Sequence, residues 1–341
     1  MLLSMALMTV AMLATALLPT RAQAGPAAGV MLLVLRCVMG FSVGGEYTGV
    51  VAYLLEGAPP ERRGLITSLA AAAASEVGAL LAVGVAALTV TALSPAALDS
   101  WGWRIPLLFG SLLAGSVLLA RSTMQESPDF ERQVARGTVP ANPLRHALRS
   151  HRGGIMRGFA ISALGSITYY VGIGYVPTFL TSAGKVGEGN ALWLSTAAAV
   201  AVILVTPIVG ALSDRIGRRP VLILCALLAA ILPTTMFLLM SSGSVARALT
   251  GALVLACVAG GVSAVGAVTT AEQFPGEGRL SGLAFGATGA TAIFGGLTPW
   301  LAQTLIQRTG SPLVPGTMIA IVALCVLPIL WTMRETRAPP T

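Results

Sequence analysis

Long apolar runs alternate with short polar segments along the whole chain. Ten of these runs reach at least 18 residues, the length that crosses about 30 Å of hydrocarbon as an α-helix. The runs are too long and alternate too little for barrel strands, so helices are the expected spans. The predicted fold is an all-α integral membrane bundle of about ten transmembrane helices, near residues 1–19, 27–55, 65–93, 103–121, 155–183, 191–212, 219–241, 246–271, 280–307 and 313–333.

The composition favours a membrane protein over a soluble one. Hydrophobic residues make up 55% of the 341 residues and charged residues 10%, with a mean hydropathy of +0.83, whereas soluble domains carry about a quarter charged residues. The net charge of +8 would favour a nucleic-acid partner in a soluble protein. Here the basic residues lie between the spans, so we expect the lipid bilayer as partner and no nucleic acid.

The distribution of basic residues predicts the topology. When alternate connections are assigned to one side of the membrane, fifteen Lys and Arg residues fall on one side and five on the other. By the positive-inside rule the richer side is cytoplasmic, which places both termini inside a bacterial-type inner membrane. The predicted domains are an N-terminal bundle of four spans, a cytoplasmic linker, a C-terminal bundle of six spans and a cytoplasmic tail, at residues 1–121, 122–154, 155–333 and 334–341.

The first apolar run has two interpretations. An apolar core followed by Ala22, Gln23 and Ala24 is also typical of a secretory signal peptide with its cleavage site. A signal peptide normally begins with Lys or Arg, and none precedes this run. We favour a transmembrane span, and the cleaved signal is the alternative.

A short motif occurs twice, at a separation of 216 residues (272 − 56). Each copy follows a glycine-rich span on the predicted cytoplasmic side, which indicates a duplicated bundle. The two bundles should then have equal numbers of spans, yet the first has four and the second six. We therefore expect that two N-terminal helices are missing from the first bundle. The copies are Glu56-x-x-Pro59-x-Glu61-x-Arg63 and Glu272-x-x-Pro275-x-Glu277-x-Arg279.

Five segments resemble motifs of the major facilitator superfamily and, within it, of the metabolite:proton symporters that carry α-ketoglutarate, proline or betaine, citrate and shikimate. Residues 210–220 are similar to the G-x-x-x-D-R-x-G-R-R loop of the superfamily, and residues 36–49 to the R-x-x-x-G-F-S-x-G-G-E-x-x-G segment of the symporters' fourth helix. Residues 101–106, 126–130 and 292–299 resemble W-G-W-R-I-P, E-[ST]-P-x-F and A-I-F-G-G-x-x-P. The likeness runs from the family's third helix to the C-terminus, but residues 286–289 read G-A-T-G where the family usually shows G-Y-N.

Two charged residues lie inside the second span, Arg36 and Glu46. Charge in hydrocarbon is costly, so both should face the bundle interior or an aqueous cavity. Arg36 can bind a substrate carboxylate with its planar guanidinium, and Glu46 can bind and release a proton. Tyr47, next to Glu46, joins this candidate group. The alternative for both charges is a structural hydrogen bond between helices.

Three further candidates for solute or proton contact lie in other spans. Glu76 is an acid at membrane depth, although the family pattern does not require one there. Tyr169 and Tyr170 precede Gly172 and Gly174, which weaken the helix and can let an aromatic side chain reach the cavity. The alternatives are structural packing for these groups and interface anchoring for the nearby Tyr175.

The repeated motif and the 210–220 loop together predict a cytoplasmic gate. Asp214 can pair with arginines or cap a neighbouring helix, and such contacts can form in one state and break in another. We expect Glu272 and Arg279 to complete the cluster around the loop, with Glu56, Arg62 and Arg63 as the remnant of a second cluster. Ordinary topology-setting charge is the alternative. The predicted gate residues are Glu56, Arg62, Arg63, Asp214, Arg215, Arg218, Arg219, Glu272 and Arg279.

Other chemistry has little support in the sequence. Four separate cysteines lie in apolar runs, and both histidines, His146 and His151, lie in an arginine-rich polar segment, so we expect no metal site, no cofactor and no enzymatic activity. The resemblance implies a monomeric, proton-coupled symporter of a small organic anion or zwitterion. The alternative is a truncated membrane protein of the same fold that is inactive in transport or regulatory.

Overall fold

The computed structural model describes residues 2–123, 135 and 143–337. Within these ranges the regular structure is helical, and each of the ten predicted spans coincides with a helix or a pair of helices. The all-α membrane fold is therefore confirmed. The helices are α1 (Leu2–Ala16), α2 (Ala27–Gly57), α3 (Pro60–Ala92), α4 (Arg104–Ser122), α5 (Pro143–Ser150), α6 (Arg152–Gly174), α7 (Val176–Ser182), α8 (Glu188–Ile216), α9 (Arg218–Met240), α10 (Val245–Glu272), α11 (Arg279–Thr309) and α12 (Val314–Thr332).

Eight of the described helices are long and apolar enough to cross a membrane, and the bent pair α6 and α7 raises the number to nine. The helix α1 is also apolar but has 15 residues. The predicted span 155–183 is not one straight helix. A π-helical turn at Tyr170–Gly174 precedes a bend of 42°, because Pro177 has no N–H to continue the ladder across this point.

The described residues group into two compact units. The first comprises Met1–Val50 and Val77–Ser127, and the second comprises Val51–Glu76 and Pro128–Thr341. The end of α2 and the beginning of α3 thus belong to the same unit as the C-terminal helices. Most of the predicted linker at 122–154 lies outside the described residues, and the division into bundles at 1–121 and 155–333 stays a prediction.

In the first unit, α1 packs against α4. Met5 and Ala11 of α1 are buried, and a Cβ added to Gly110 of α4 would lie 2.6 Å from the Met12 side chain. Arg104, at the start of α4, stacks on Trp103 and donates a hydrogen bond of 3.0 Å to the Leu18 carbonyl. Small residues thus let α1 and α4 approach closely, as is usual between helices in lipid.

In the second unit, α9 packs on α12, and α10 packs on both α8 and α9. Their contacts are also lined by small residues. A Cβ added to Gly316 of α12 would meet the Thr234 backbone of α9 at 2.5 Å, and one on Gly260 of α10 would lie 3.3 Å from the Thr206 hydroxyl of α8. Larger side chains fill the remaining core, where the rings of Phe179 and Phe237 meet edge to face at 4.9 Å. This packing holds in place the helix ends that carry the charged residues of the second unit.

Candidate functional site

Asp214, near the end of α8, caps α3. Its two carboxylate oxygens accept hydrogen bonds from the backbone N–H groups of Gly64 and Leu65, each at 2.8 Å. These N–H groups lie in the first turn of the α-helical part of α3, where unpaired donors and the helix dipole favour a negative charge. The 210–220 loop therefore contacts α3, and Asp214 caps a neighbouring helix, which is one of the two roles predicted for it.

Two glycines make this approach possible. A Cβ added to Gly64 would lie 2.6 Å from the Gly210 carbonyl oxygen, and one added to Gly210 would lie 2.1 Å from Ser68 Oγ. Real side chains do not occupy such short distances, so α3 and α8 can cross at this separation only with glycine at both positions. Ser68 is fully buried in the same contact.

Arg218, at the start of α9, connects two acids. Its side chain is 1% exposed, and Nη1 lies 2.7 Å from Asp214 Oδ1 and 2.9 Å from Ser213 Oγ. Its Nε lies 3.5 Å from Glu272 Oε2 at the end of α10. The positive charge of Arg63 also acts on Glu272. A buried charge of this kind is stable only with such partners.

The two copies of the repeated motif exchange partners. Arg279 of the second copy pairs with Glu56 of the first through Nη1 and Oε1 at 2.7 Å, whereas Glu272 of the second copy lies near Arg63 of the first. Arg279 therefore pairs across the repeat and not with Glu272 of its own copy. Each acid thus interacts with the basic residue of the other copy, as expected of two bundles related by a pseudo-two-fold axis.

We call the group formed by these residues the charged seam. Its members are Glu56, Arg63, Asp214, Arg218, Glu272 and Arg279. Three predicted gate residues lie apart from it or at its edge: Arg62 and Arg215 are exposed, and Arg219 turns towards α12, where Nη2 donates to the Trp331 carbonyl at 2.6 Å. Six of the nine predicted residues thus interact in two sets: Glu56 pairs with Arg279, and Arg218 pairs with Asp214 and Glu272, on which the charge of Arg63 also acts.

The segment after α12 completes the charged seam, a role that the sequence did not predict. The Glu335 carboxylate accepts hydrogen bonds from the backbone N–H groups of Arg218, Arg219, Thr336 and Arg337, at 2.8 to 3.0 Å. The Thr336 hydroxyl donates to Glu272 Oε2 at 2.5 Å. The sequence did indicate that α9 needs a partner at its start. The helix begins directly after Gly217, which has no side chain to cap it, so its first N–H groups need an acceptor from another segment.

These backbone donors determine the charge state of Glu335. Partial burial alone would raise the pKa of this carboxyl, but the four N–H groups favour its charged form and together lower the pKa below its ordinary value. Glu335 therefore stays ionised at neutral pH and holds the C-terminal segment on the first turn of α9.

Glu46, in the first unit, pairs with Arg121 at the end of α4. The distance from Oε1 to Nη2 is 2.6 Å, and each side chain is 19% exposed. The second oxygen, Oε2, is buried without a hydrogen-bond partner among the described residues. A basic residue at the end of a span normally only sets the topology, so the sequence alone gives Arg121 no further role.

The other candidates of α2 are more open. Arg36 is exposed and lines a cleft of about 590 Å³ beside Thr20 and Trp103. Tyr47 is 45% exposed. Arg36 thus faces a cleft of the first unit rather than a packed helix interface.

Glu76 and the two tyrosines meet in the second unit. Glu76 is 3% exposed, and the charge of its carboxylate acts on the Tyr169 hydroxyl. The Tyr169 and Tyr170 rings meet edge to face at 5.6 Å, and a Cβ added to Gly295 of α11 would lie 2.8 Å from the Tyr170 ring. The sequence predicted the three residues as candidates but not that α3, α6 and α11 bring them together.

Chemically, this arrangement suits reversible contact between helices. The charged seam contacts ends of α2, α3, α8, α9, α10 and α11 through ion pairs and charge-assisted hydrogen bonds, which are strong when formed. Among the described residues, no group of three or more His, Cys, Asp and Glu side chains has the geometry of a metal site.

Comparison with known families agrees with this architecture. Residues 1–143 match the family model described as Sugar (and other) transporter, and residues 185–341 match the Major Facilitator Superfamily model. The structure resembles a double-tryptophan mutant of the xylose transporter XylE with a TM-score of 0.81 and 18% identity, over 98% of this chain and 80% of that chain. It also resembles the Escherichia coli fucose:proton symporter FucP, with a TM-score of 0.64 and 15% identity, over 97% of this chain and 81% of that chain. At these identities the likeness shows the fold.

Closer relatives in sequence are transporters. The chain is 30% identical to the ectoine/proline transporter ProP of Corynebacterium glutamicum, over 99% of this chain and 69% of that protein. It is 31% identical to the citrate-proton symporter of Klebsiella pneumoniae, over 91% of this chain and 69% of that protein. It is 33% identical to the alpha-ketoglutarate permease of Escherichia coli, over 89% of this chain and 70% of that protein. The chain therefore belongs to the major facilitator superfamily, in its metabolite:proton symporter group, and is a multi-pass membrane transporter rather than an enzyme.

Proposed function

We propose that the protein is a proton-coupled symporter of a small organic anion or zwitterion that works by alternating access as a monomer. The observation that carries the proposal is the pair of Glu46 and Arg121 within the first unit. Relatives named as a citrate-proton symporter and as proline/betaine transporters support the same class.

In this proposal Glu46 carries the proton. One carboxylate oxygen pairs with Arg121, while the buried Oε2 has no hydrogen-bond partner among the described residues. Protonation would neutralise the acid and weaken the pair, so that α2 and α4 can separate more easily. Release of the proton would restore the pair. A carboxylate held in this way links proton binding to helix movement.

Arg36 attracts the solute in the same proposal. A guanidinium in an aqueous cleft can bind a carboxylate through two parallel hydrogen bonds, and organic acids, amino acids and betaines all present that group. The charged seam acts as the gate on the side that we propose to be cytoplasmic, together with the C-terminus. Its contacts form when that side closes and break when it opens.

Uptake into vesicles tests the coupling. The full chain in proteoliposomes, with an inward proton gradient, should accumulate at least one member of a panel of radiolabelled organic acids and betaines. Glu46→Gln should abolish gradient-driven accumulation but retain exchange of solute in the absence of a gradient. Asp99→Asn removes an exposed acid outside the spans and should behave as wild type. Accumulation that ignores the gradient, or that survives Glu46→Gln, would contradict the proposal, as would a failure of the wild type to transport any member of the panel.

A further inference from the structure

Helix α5 lies at the surface of the membrane. Only His151 separates it from α6, which is the first part of a bent span. The His151 N–H donates to the Ala147 carbonyl and the Ile155 N–H to the His151 carbonyl, both at 2.9 Å, so the helical spacing of α5 continues into α6. Arg152 Nε also donates to the Leu148 carbonyl at 3.1 Å. These bonds hold α5 at the level where α6 enters the hydrocarbon.

Helix α5 has one packed face and one open face. Ala147 is completely buried, and α5 packs against the helical segment Gly276–Leu283 at the start of α11. Arg145, Arg149 and Arg152 are exposed. Their spacing of four and then three residues places them on the same side of a helix. The three cations therefore form a row on the open face.

Apolar side chains lie in the same row. Leu148 is 43% exposed and Met156 is 62% exposed, and each lies three or four residues from an arginine of the row. Residues 143–157 contain no Asp or Glu, so no acid of this segment reduces the positive charge. Cations and apolar side chains on one face are typical of helices that lie in the headgroup region of a bilayer.

We propose that Arg145, Leu148, Arg149, Arg152 and Met156 bind anionic phospholipids, and we call these five residues the basic row. A guanidinium can bind two phosphate oxygens through parallel hydrogen bonds, while the apolar side chains contact the upper part of the acyl chains. An arginine close to an anionic membrane surface strengthens binding about fivefold. The basic row depends neither on proton coupling nor on the identity of the solute.

Two lipids with the same acyl chains test the basic row. Phosphatidylglycerol has a net negative charge, whereas the choline group of phosphatidylcholine neutralises its phosphate. The purified full chain in an uncharged detergent is equilibrated with equal amounts of both lipids, and native mass spectrometry counts the molecules of each that stay bound. We expect the wild type to retain about tenfold or more phosphatidylglycerol than phosphatidylcholine.

Matched variants assign this preference to the basic row. Replacement of its three arginines by glutamine should bring the ratio of the two lipids close to one. The control replaces three exposed arginines elsewhere, Arg215, Arg247 and Arg308, and should keep the ratio within about twofold of the wild type. Arg149→Gln alone should lower the ratio about fivefold. Size-exclusion elution verifies that each variant is folded.

A soluble competitor distinguishes a lipid from a free phosphate compound. Glycerol 3-phosphate has the phosphate but no acyl chains, so a millimolar excess should leave the bound phosphatidylglycerol in place. Its displacement would show that a small anion suffices and would overturn the lipid surface. A wild-type ratio near one, an unchanged ratio after loss of the three arginines, or equal lowering by the two triple variants would also overturn it. Uptake in proteoliposomes measures the proposed symport separately, so either proposal can fail without the other.

Discussion

Arg218 and Arg279 both join helices of the charged seam, but their environments differ. Arg218 is 1% exposed and lies between two acids whose side chains are 8% and 6% exposed. Arg279 is 13% exposed and pairs with one acid, Glu56, that is 11% exposed. The first site also includes backbone donors and the C-terminal segment around Glu335, whereas the second is a single ion pair among the described contacts.

This difference shows what the 210–220 loop adds to the repeated motif. Both copies of the motif supply an acid and an arginine, but one acid is connected through Arg218 to Asp214, which caps α3. Connected charges in a buried site depend on one another, since removal of one leaves the others unpaired. We therefore expect the Arg218 site to determine the stability of the closed seam and the Arg279 site to adjust it.

The largest difference in stability should appear when Arg218 and Arg279 are replaced, one at a time, by methionine, which preserves much of the side-chain volume. Arg218→Met leaves Asp214 and Glu272 buried without their cation and should lower the free energy of unfolding by about 3–5 kcal/mol. Arg279→Met breaks a single, partly solvated pair and should cost about 1 kcal/mol or less. Thermal unfolding of the detergent-solubilised variants measures both. Equal losses would show that the loop and the C-terminal segment add nothing to the first site.

A smaller effect should follow addition of one methyl group where α3 crosses α8. Gly210→Ala would place a Cβ 2.1 Å from Ser68 Oγ, so closure of the seam should become less favourable by about 1–3 kcal/mol. Gly78→Ala is the control, because an added Cβ there has no atom within 4 Å. A cysteine at Thr67, buried in the wild type, should react faster with a maleimide in the Gly210→Ala background. Unchanged labelling would show that the seam tolerates a wider crossing.

The sequence predicted those features that depend on local pattern. Spans follow from length and apolar composition, and the roles of Gly210 and Asp214 follow from a loop motif with a clear physical purpose. The pairing of Glu56 with Arg279 could not be predicted, because it joins residues 223 positions apart through the symmetry of the fold. The contacts of Arg121 and Glu335 could not be predicted for a related reason, since a charged residue at or beyond the end of a span normally faces water. The effect of the Glu76 charge on Tyr169 depends on the tertiary fold, which the local sequence pattern does not show.

The smallest effect concerns the C-terminal segment, and its dependence on pH can be worked out. Glu335→Gln retains hydrogen-bond acceptance but loses the charge that caps α9, and because Glu335 is exposed the cost should be about 0.5–1 kcal/mol. Hydrogen exchange at the Arg218 and Arg219 amides should become faster in this variant, while amides in the middle of α9 should stay protected.

In the wild type the pKa of Glu335 is lowered in the folded state, so its contribution to stability is complete above the ordinary glutamate pKa of about 4.3. That contribution is lost as the pH falls through the lower, folded value. Protection of the two amides, corrected for the intrinsic exchange rate, should therefore be constant between about pH 5 and 8 and decrease only below about pH 4. The same amides in Glu335→Gln should show no such decrease, because the variant has no carboxyl group to protonate. A transition between pH 6 and 7 in the wild type would contradict the proposed cap and would indicate that another group holds the segment on the charged seam.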